Sequence, residues 1–118
     1  MGLDPIIYFC GDILPILPLI NTLDVTALLI EESKKNFILD PVHIRRQLAD
    51  HITLFGNLDS VGVLRFGSVA DVESETRAQI RAARYGRFVV ANGSPIAPGT
   101  PKENVEAMIR VARESPRL

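Results

Sequence analysis

FGNLDS (Phe55–Ser60) and VVANGSPIAPGTPKENV (Val89–Val105) are the two stretches that decide the fold of this chain. In each, an apolar run that predicts a β-strand breaks into glycine, asparagine and a polar turn, and a capped helix follows. Each stretch therefore predicts one β-to-α unit. Ligands of α/β proteins bind where such strands end, so the two stretches also locate a candidate functional face.

The composition is typical of one globular domain. The chain has 118 residues, of which 47% are hydrophobic and 23% charged, and this length is enough for a core of its own. Thirteen basic and fourteen acidic residues give a net charge of −1. This balance argues against a nucleic-acid partner and against binding to an anionic membrane, because no basic stripe dominates.

Two features indicate the cellular setting. Cys10 is the single cysteine, which excludes an internal disulfide framework and predicts a reducing, cytoplasmic location. The longest apolar stretch, Ile13–Ile20, contains Pro15 and Pro18 and is too short to span a bilayer. We therefore expect no membrane partner.

Four apolar runs alternate with four amphipathic segments. The runs predict strands at Pro5–Cys10, Val25–Ile30, Ile52–Phe55 and Phe88–Ala91. The other segments predict helices over Ile13–Leu23, from Pro41 to about Ala49, after Ser68 and after Pro101. Because the strands are continuous apolar runs, they indicate a parallel sheet that is covered on both faces or closed into a barrel. We predict a single α/β domain over residues 1–118, in the order βαβαβαβα.

Capping residues mark the predicted helix starts. They are Asp12, then Asp40 before Pro41, then Ser68 with Asp71 as a capping box, then Thr100 with Pro101 and Glu103. Spacings of three to four predict the buried helix faces. These are Val72, Thr76, Ile80 and Ala83 on the third helix, and Val105, Met108, Ile109 and Ala112 on the fourth. Solvent is predicted to surround Arg77, Arg81 and Arg84.

Taken in order, the strand-end motifs resemble those of a known family. They are Cys10-Gly11-Asp12, Gly56-Asn57-Leu58-Asp59, Phe66-Gly67 with Asp71-Val72, Asn92-Gly93-Ser94, and Pro98-Gly99-Thr100-Pro101 with Glu103-Asn104-Val105. From about Pro5 to Arg113, the chain resembles the C-terminal half of the uroporphyrinogen decarboxylase superfamily. That superfamily includes porphyrinogen decarboxylases and zinc-dependent methylcobamide:coenzyme M methyltransferases. The resemblance implies the C-terminal half of a TIM (β/α)₈ barrel.

Four βα units make only half of such a barrel. An open four-stranded parallel sheet leaves two unpaired edges and one uncovered face. We therefore expect a partner to complete it, either in a homo-oligomer or as a separate N-terminal half-barrel, unless the chain is itself a piece of a longer protein.

The resemblance also bears on metal binding. In the methyltransferase branch, the end of the first predicted strand resembles H-x-C-G, where His and Cys bind zinc. A later Cys completes the site. Cys10 matches the first cysteine, whereas Tyr8 stands at the His position and Ser94 at the later Cys position. A catalytic zinc site needs three protein ligands. Cys10 is thus a candidate metal ligand, and a buried apolar cysteine is the alternative.

Polar residues at the strand ends form the wider candidate site. They are Cys10, Asp12, Glu32, Asn57, Asp59, Asn92, Gly93 and Ser94. These residues are predicted to line the barrel mouth and to bind a ligand. As alternatives, Asn57 and Asp59 bond their own turn, and Glu32 is a solvated rim charge followed by Lys34.

Three functions are consistent with the resemblance. The first is part of a uroporphyrinogen decarboxylase-like enzyme, nearer the corrinoid-linked methyltransferase branch and with a degraded zinc site. For this function the resemblance implies zinc or a corrinoid as the cofactor and a corrinoid protein as the partner. The second is a porphyrinogen decarboxylase component of tetrapyrrole biosynthesis, although Gly93-Ser94-Pro95 replaces the Gly-His-Gly of that branch. The third is a non-catalytic half-barrel that binds a tetrapyrrole or a small anion.

Overall fold

The computed structural model describes residues 2–116, which form one four-stranded sheet. Its strands are β1 (Ile6–Phe9), β2 (Ala27–Ile30), β3 (Thr53–Phe55) and β4 (Phe88–Val89), all parallel and in the order β1-β2-β3-β4. The predicted α/β fold with four parallel strands is confirmed. β4 is shorter than predicted, but a parallel bridge between Leu58 and Asn92 extends the contact of β3 and β4 into their loops.

A helical segment follows each strand. The helices are α1 (Leu17–Ile20), α2 (Pro41–Gln47), α3 (Val69–Ile80) and α4 (Lys102–Glu114). Short 3₁₀ turns flank two of them, at Leu14–Ile16 before α1 and at Arg81–Tyr85 after α3, and a π-helical segment, Ser60–Arg65, precedes α3. The first helix is much shorter than the predicted Ile13–Leu23. Pro18 has no N–H to donate to the carbonyl of Leu14, so a continuous α-helix over this segment is interrupted.

The two faces of the sheet differ in what covers them. One row of paired residues consists of Ile7, Leu28, Leu54 and Phe88. This row packs with the helices in the main core, which includes Ile13, Leu17, Ile44 and Leu48.

No helix within residues 2–116 is long and apolar enough to cross a membrane.

The opposite face, which we call the lumen face, consists of Ile6, Tyr8, Ala27, Leu29, Thr53, Phe55 and Val89. These residues alternate along the strands with those of the core face. Ile6, Tyr8 and Val89 are 55%, 48% and 38% exposed. Within the described residues, β1 and β4 each pair on one side only. A parallel sheet with two free edges and one exposed apolar face has the form of an open barrel wall.

Two predicted caps are confirmed. The Asp40 carboxylate accepts a hydrogen bond from the N–H of Val42 at 3.0 Å. Ser68 and Asp71 form the reciprocal capping box, with distances of 3.1 and 2.8 Å. The hydrogen bonds from Ser68 lower the pKa of Asp71, as expected for a carboxylate that accepts N–H and O–H donors.

The predicted cap of the last helix is wrong. Thr100 turns back and donates its hydroxyl to the carbonyl of Ala97 at 2.7 Å. Pro101 occupies the N-cap position, where no side-chain hydrogen bond caps the helix. The Thr100 hydroxyl is thus used in the turn before α4, where it cannot cap the helix as the sequence predicted.

The buried faces of α3 and α4 also differ from the prediction. On α3 the buried residues are Val72, Thr76 and Gln79, and on α4 they are Asn104, Ala107, Met108 and Val111. Ile109 is instead 44% exposed. Arg77, Arg81 and Arg84 are exposed as predicted.

A buried arginine joins α2 to the beginning of the sheet. Arg45 is only 1% exposed. Its guanidinium donates to the carbonyls of Leu48, Ala49, Ile52 and Arg87. It therefore connects the end of α2 to the segments that lead into β3 and β4.

Candidate functional site

The carboxyl ends of the four strands lie along one edge of the sheet, as parallel pairing requires. Here the loop after β4 folds back over the ends of β1 and β2. It brings Gly93 and Ser94 against Tyr8 and Glu32. We call these four residues, with Cys10, the mouth cluster.

Tyr8 holds this loop from the side of β1. Its hydroxyl donates to the carbonyl of Gly93 at 2.7 Å. Burial, the hydrogen bond with Cys10 and two nearby carboxylates raise the pKa of Tyr8. A tyrosine phenol is protonated at neutral pH even without this shift, so the hydroxyl keeps its donor for the loop.

Glu32 holds the same loop from the side of β2. The Ser94 hydroxyl lies 2.8 and 2.7 Å from the two oxygens of the Glu32 carboxylate, and Lys34 donates to one of them at 3.2 Å. The Glu32 charge raises the pKa of Lys34, although desolvation opposes the shift. Glu32 is 6% exposed, so the alternative of a solvated rim charge is wrong. The Ser94 hydroxyl and the Lys34 ammonium group together allow this carboxylate to be buried.

Further hydrogen bonds fix the position of Ser94. Its carbonyl accepts from the Ser60 hydroxyl at 2.6 Å and from the Asn92 amide. Its N–H donates to the Ser60 oxygen at 3.2 Å. The loop after β4 is thus bonded to the loops after β2 and β3.

The remaining predicted site residues make structural contacts. Asn57 is buried and donates to the carbonyl of Leu39 at 2.8 Å, so it supports the loop before α2 rather than its own turn. The Asp59 carboxylate accepts from two N–H groups at the start of the π-helical segment, as the turn alternative predicted. Asp12 accepts from the N–H of Leu14 at 3.1 Å, but the N-cap of the 3₁₀ turn is Ile13 and has no side-chain hydrogen bond. The predicted capping role of Asp12 is therefore wrong. A ligand-binding role for these residues stays a prediction.

Cys10 lies at the end of β1 and is exposed in this chain. The alternative of a buried apolar cysteine is therefore wrong. Residues 2–116 contain no group of three or more His, Cys, Asp or Glu side chains that could hold a metal ion. Of the side chains of Tyr8, Cys10 and Ser94, only the Cys10 thiol is a soft metal ligand.

Sequence reasoning did not identify two residues of this site. Tyr8 was considered only as a substitute for a metal ligand, and Ser60 was considered only as part of a turn. The signal for Tyr8 was available, because a tyrosine one place before the end of an apolar strand points to the same face as Cys10 two residues later. The role of Ser60 had no local signal, because its partner is 34 residues away.

Four parallel βα units with a polar cluster at the strand ends are part of a (β/α)₈ barrel. The sequence model for "Uroporphyrinogen decarboxylase (URO-D)" matches residues 2–115. The chain belongs to this family.

Individual relatives fall in two branches of the family. The methylated-thiol–coenzyme M methyltransferase of Methanosarcina mazei is 27% identical over 112 residues, which are 94% of this chain and 28% of that protein. A uroporphyrinogen decarboxylase of Synechococcus is 33% identical over 78 residues, which are 66% of this chain and 22% of that protein.

A solved methyltransferase structure from Methanosarcina mazei has the same fold over this region. It superposes with a TM-score of 0.78 at 28% identity, and the match covers 94% of this chain and 31% of that one. The chain therefore spans about three tenths of the length of these methyltransferases.

Proposed function

We propose that this chain forms the C-terminal half of the barrel of a uroporphyrinogen decarboxylase-like enzyme in the corrinoid-linked methyltransferase branch. The observation that carries the proposal is the position of Cys10. It lies at the end of β1, and Tyr8 of the same strand is bonded to the loop that carries Ser94. The three positions that resemble the zinc ligands of that branch therefore lie at the end of β1 and on the loop that is bonded to it. The match to methyltransferases over 94% of the chain supports the same branch.

Zinc does not fit the side chains that this chain provides. A catalytic zinc site takes three protein ligands, usually His, Cys or a carboxylate. Tyr8 and Ser94 are engaged in hydrogen bonds to the loop and to Glu32, and the described residues offer no set of three ligands. We therefore assign no step to zinc here and regard the zinc site of this half as degraded.

The mouth cluster is suited to binding a ligand by hydrogen bonds. Cys10 supplies an exposed thiol, and the bonded loop after β4 gives a fixed surface beside it. Preorganised polar groups of this kind orient a substrate without a cost of reorganisation when it binds. We propose that a corrinoid or its carrier protein approaches this mouth. The location is proposed to be cytoplasmic, because the one cysteine is a free thiol.

A direct assay tests this function. The purified chain, alone and together with any co-encoded N-terminal half, is given methylcobalamin and coenzyme M, and methylated thiol is measured by mass spectrometry. We expect product only with both halves present, and at least about a tenfold lower rate with Cys10→Ala, if the thiol touches the substrate. Thr22→Ala, an exposed change away from the mouth, is the matched control.

Two other outcomes would replace the proposal. Decarboxylation of uroporphyrinogen by the same mixture would favour the lyase branch, which the similarity to the Synechococcus enzyme supports. Saturable binding of a tetrapyrrole without either reaction would favour a non-catalytic half-barrel.

The lumen face predicts that the chain associates. It is largely apolar, its polar side chains are Tyr8 and Thr53, and it carries no formal charge. A second copy would therefore cover it without burying an ion. Two copies related by a two-fold axis would pair β1 of each with β4 of the other in parallel. We propose that the isolated chain forms such a homo-oligomer, and that a separate N-terminal half competes for the same face.

Sedimentation of a lumen-face variant tests this association. The wild-type chain is expected to sediment as a dimer or larger species, and Val89→Asp to shift it towards monomer. Val69→Asp is the matched control, because Val69 is 39% exposed and Val89 38%, but Val69 lies at the start of α3, where an acidic residue is tolerated. A monomeric wild-type chain, or equal effects of the two variants, would contradict the proposed interface.

A further inference from the structure

A second concave site lies on the helix side of the sheet. A cleft of about 680 Å³ separates the loop before α2 and the first turn of α2 from the outer part of α3. This volume is in the range of sites that bind small molecules. Glu32 of the mouth cluster also lines this cleft, but the mouth function proposed above makes no use of the residues that α2 and α3 contribute to it.

One end of the cleft is basic. Arg81 and Arg84 line it, both are exposed, and neither forms an ion pair with a carboxylate of residues 2–116. Arg77 on the same face is different, because it pairs with Glu73 at 3.5 Å. Arg81 donates from Nε to the carbonyl of Ala78 at 3.3 Å. Two neighbouring guanidinium groups without a carboxylate partner form a ready site for a carboxylate or a phosphate.

The other walls carry acidic and apolar groups. Glu75 lines the cleft, as do Asp40 and Asp59, whose carboxylates already accept backbone hydrogen bonds. Ile38 contributes an apolar side chain that is 78% exposed. A purely anionic ligand would be repelled by these carboxylates, whereas a ligand with a cationic end would be attracted to them.

The cleft also borders an unsatisfied amide. Gln79 lines it and is 5% exposed, yet its Oε1 atom accepts no hydrogen bond from the described residues. A buried carbonyl oxygen without a donor is unfavourable. This oxygen faces Gly56, where a Cβ atom would overlap it. A ligand in the cleft with an N–H or O–H group would supply the donor only when the Gln79 side chain rotates away from Gly56.

We propose that this cleft binds a small zwitterion with an apolar body. Its carboxylate or phosphate faces Arg81 and Arg84, and its ammonium group faces Glu75 and the carboxylates near the strand ends. The apolar body lies on Ile38. Glu32 lines this cleft and also belongs to the mouth cluster, whereas Arg81, Arg84 and Ile38 do not belong to that cluster. Occupancy of the cleft is therefore measured by direct binding and not by an assay of catalysis.

Amide NMR of the full chain tests the proposal. The probes are ω-amino acids of increasing length, each compared with the fatty acid and the alkylamine of the same length. One amino acid is expected to give saturable shifts at Ala78, Gln79 and Val42 but not at Ile6, which lies at the amino-terminal end of β1. It should bind about tenfold tighter than either comparison compound, because a hydrogen bond to a charged group contributes a comparable free energy.

Variants locate the anionic end. Arg81→Gln combined with Arg84→Gln is expected to weaken this binding at least about tenfold, whereas Arg77→Gln leaves it unchanged. All these side chains are exposed, and an unaltered amide spectrum verifies that each variant is folded. Three results would overturn the proposal: no saturable shift with any probe, equal affinity for the fatty acid, or an equal loss in Arg77→Gln.

Discussion

Arg45→Met is expected to lower the free energy of unfolding by about 3–5 kcal/mol. Methionine fills much of the same space but donates no hydrogen bond. Four carbonyl groups around the guanidinium, those of Leu48, Ala49, Ile52 and Arg87, would lose a charged donor in a site from which water is largely excluded. Urea unfolding followed by circular dichroism measures the loss.

The neighbouring arginine is the matched control. Arg46 is exposed, and its guanidinium lies 5.1 Å from the centre of the Tyr85 ring. Arg46→Met should therefore cost no more than about 1 kcal/mol. Arg45→Lys should still cost more than this, because one ammonium group does not replace a planar fork that reaches four carbonyls. Equal stabilities of the two methionine variants would contradict the role of Arg45.

Gly86 explains how a charged side chain is accommodated here. A Cβ atom at Gly86 would lie 2.8 Å from Nε of Arg45, and the φ angle of +149° is one that side chains rarely adopt. Burial lowers the pKa of Arg45, but an arginine remains protonated in proteins. The positive charge is therefore retained at the amino-terminal end of the sheet, opposite to the mouth.

The sequence predicted the parts of the fold that local patterns control. Continuous apolar runs predicted four parallel strands, and Asp40 and Ser68 predicted two helix starts. It did not predict the burial of Arg45, because a charged residue followed by Arg46 and Gln47 carries no local sign of burial and the carbonyl of Arg87 is 42 residues away. Periodicity assigns residues to faces by hydrophobicity, so a charged residue with distant partners is assigned to solvent.

The same limit applies to α4 and to the site. Asn104 turns inward because it donates to the carbonyls of Leu64 and Gly67, both at 2.8 Å, and an apolar pattern gives a polar residue no weight at such a position. Glu32, in a run of charged residues, resembles a rim charge until Ser94, 62 residues away, is placed beside it. The predicted strand ends were enough to locate the site residues along the chain. Their hydrogen-bonding partners could be identified only from the three-dimensional arrangement of the strands and loops.

Gly93→Ala is expected to displace the loop after β4 and to lower the free energy of unfolding by about 2–4 kcal/mol. A Cβ atom at this position would overlap the backbone nitrogen of Glu32 and would lie 2.5 Å from its Oε2 atom. Backbone on one side and a buried carboxylate on the other leave little room for relaxation. The loop moves only if Tyr8 releases the carbonyl of Gly93 and Ser94 releases Glu32.

Hydrogen exchange distinguishes this displacement from general destabilisation. In Gly93→Ala, the amides of Gly93 and Ser94, which donate to the carbonyl of Leu58 and to Ser60, should exchange faster than those of α3. Gly2→Ala is the control, since nothing lies within 4 Å of a Cβ there. Unchanged exchange at Ser94 would mean that the loop is not held by the contacts described. Faster exchange confined to this loop would instead mean that polar contacts alone hold the loop over the mouth. The loop would then open without unfolding of the sheet, because the apolar core behind β2 and β3 does not depend on these polar contacts.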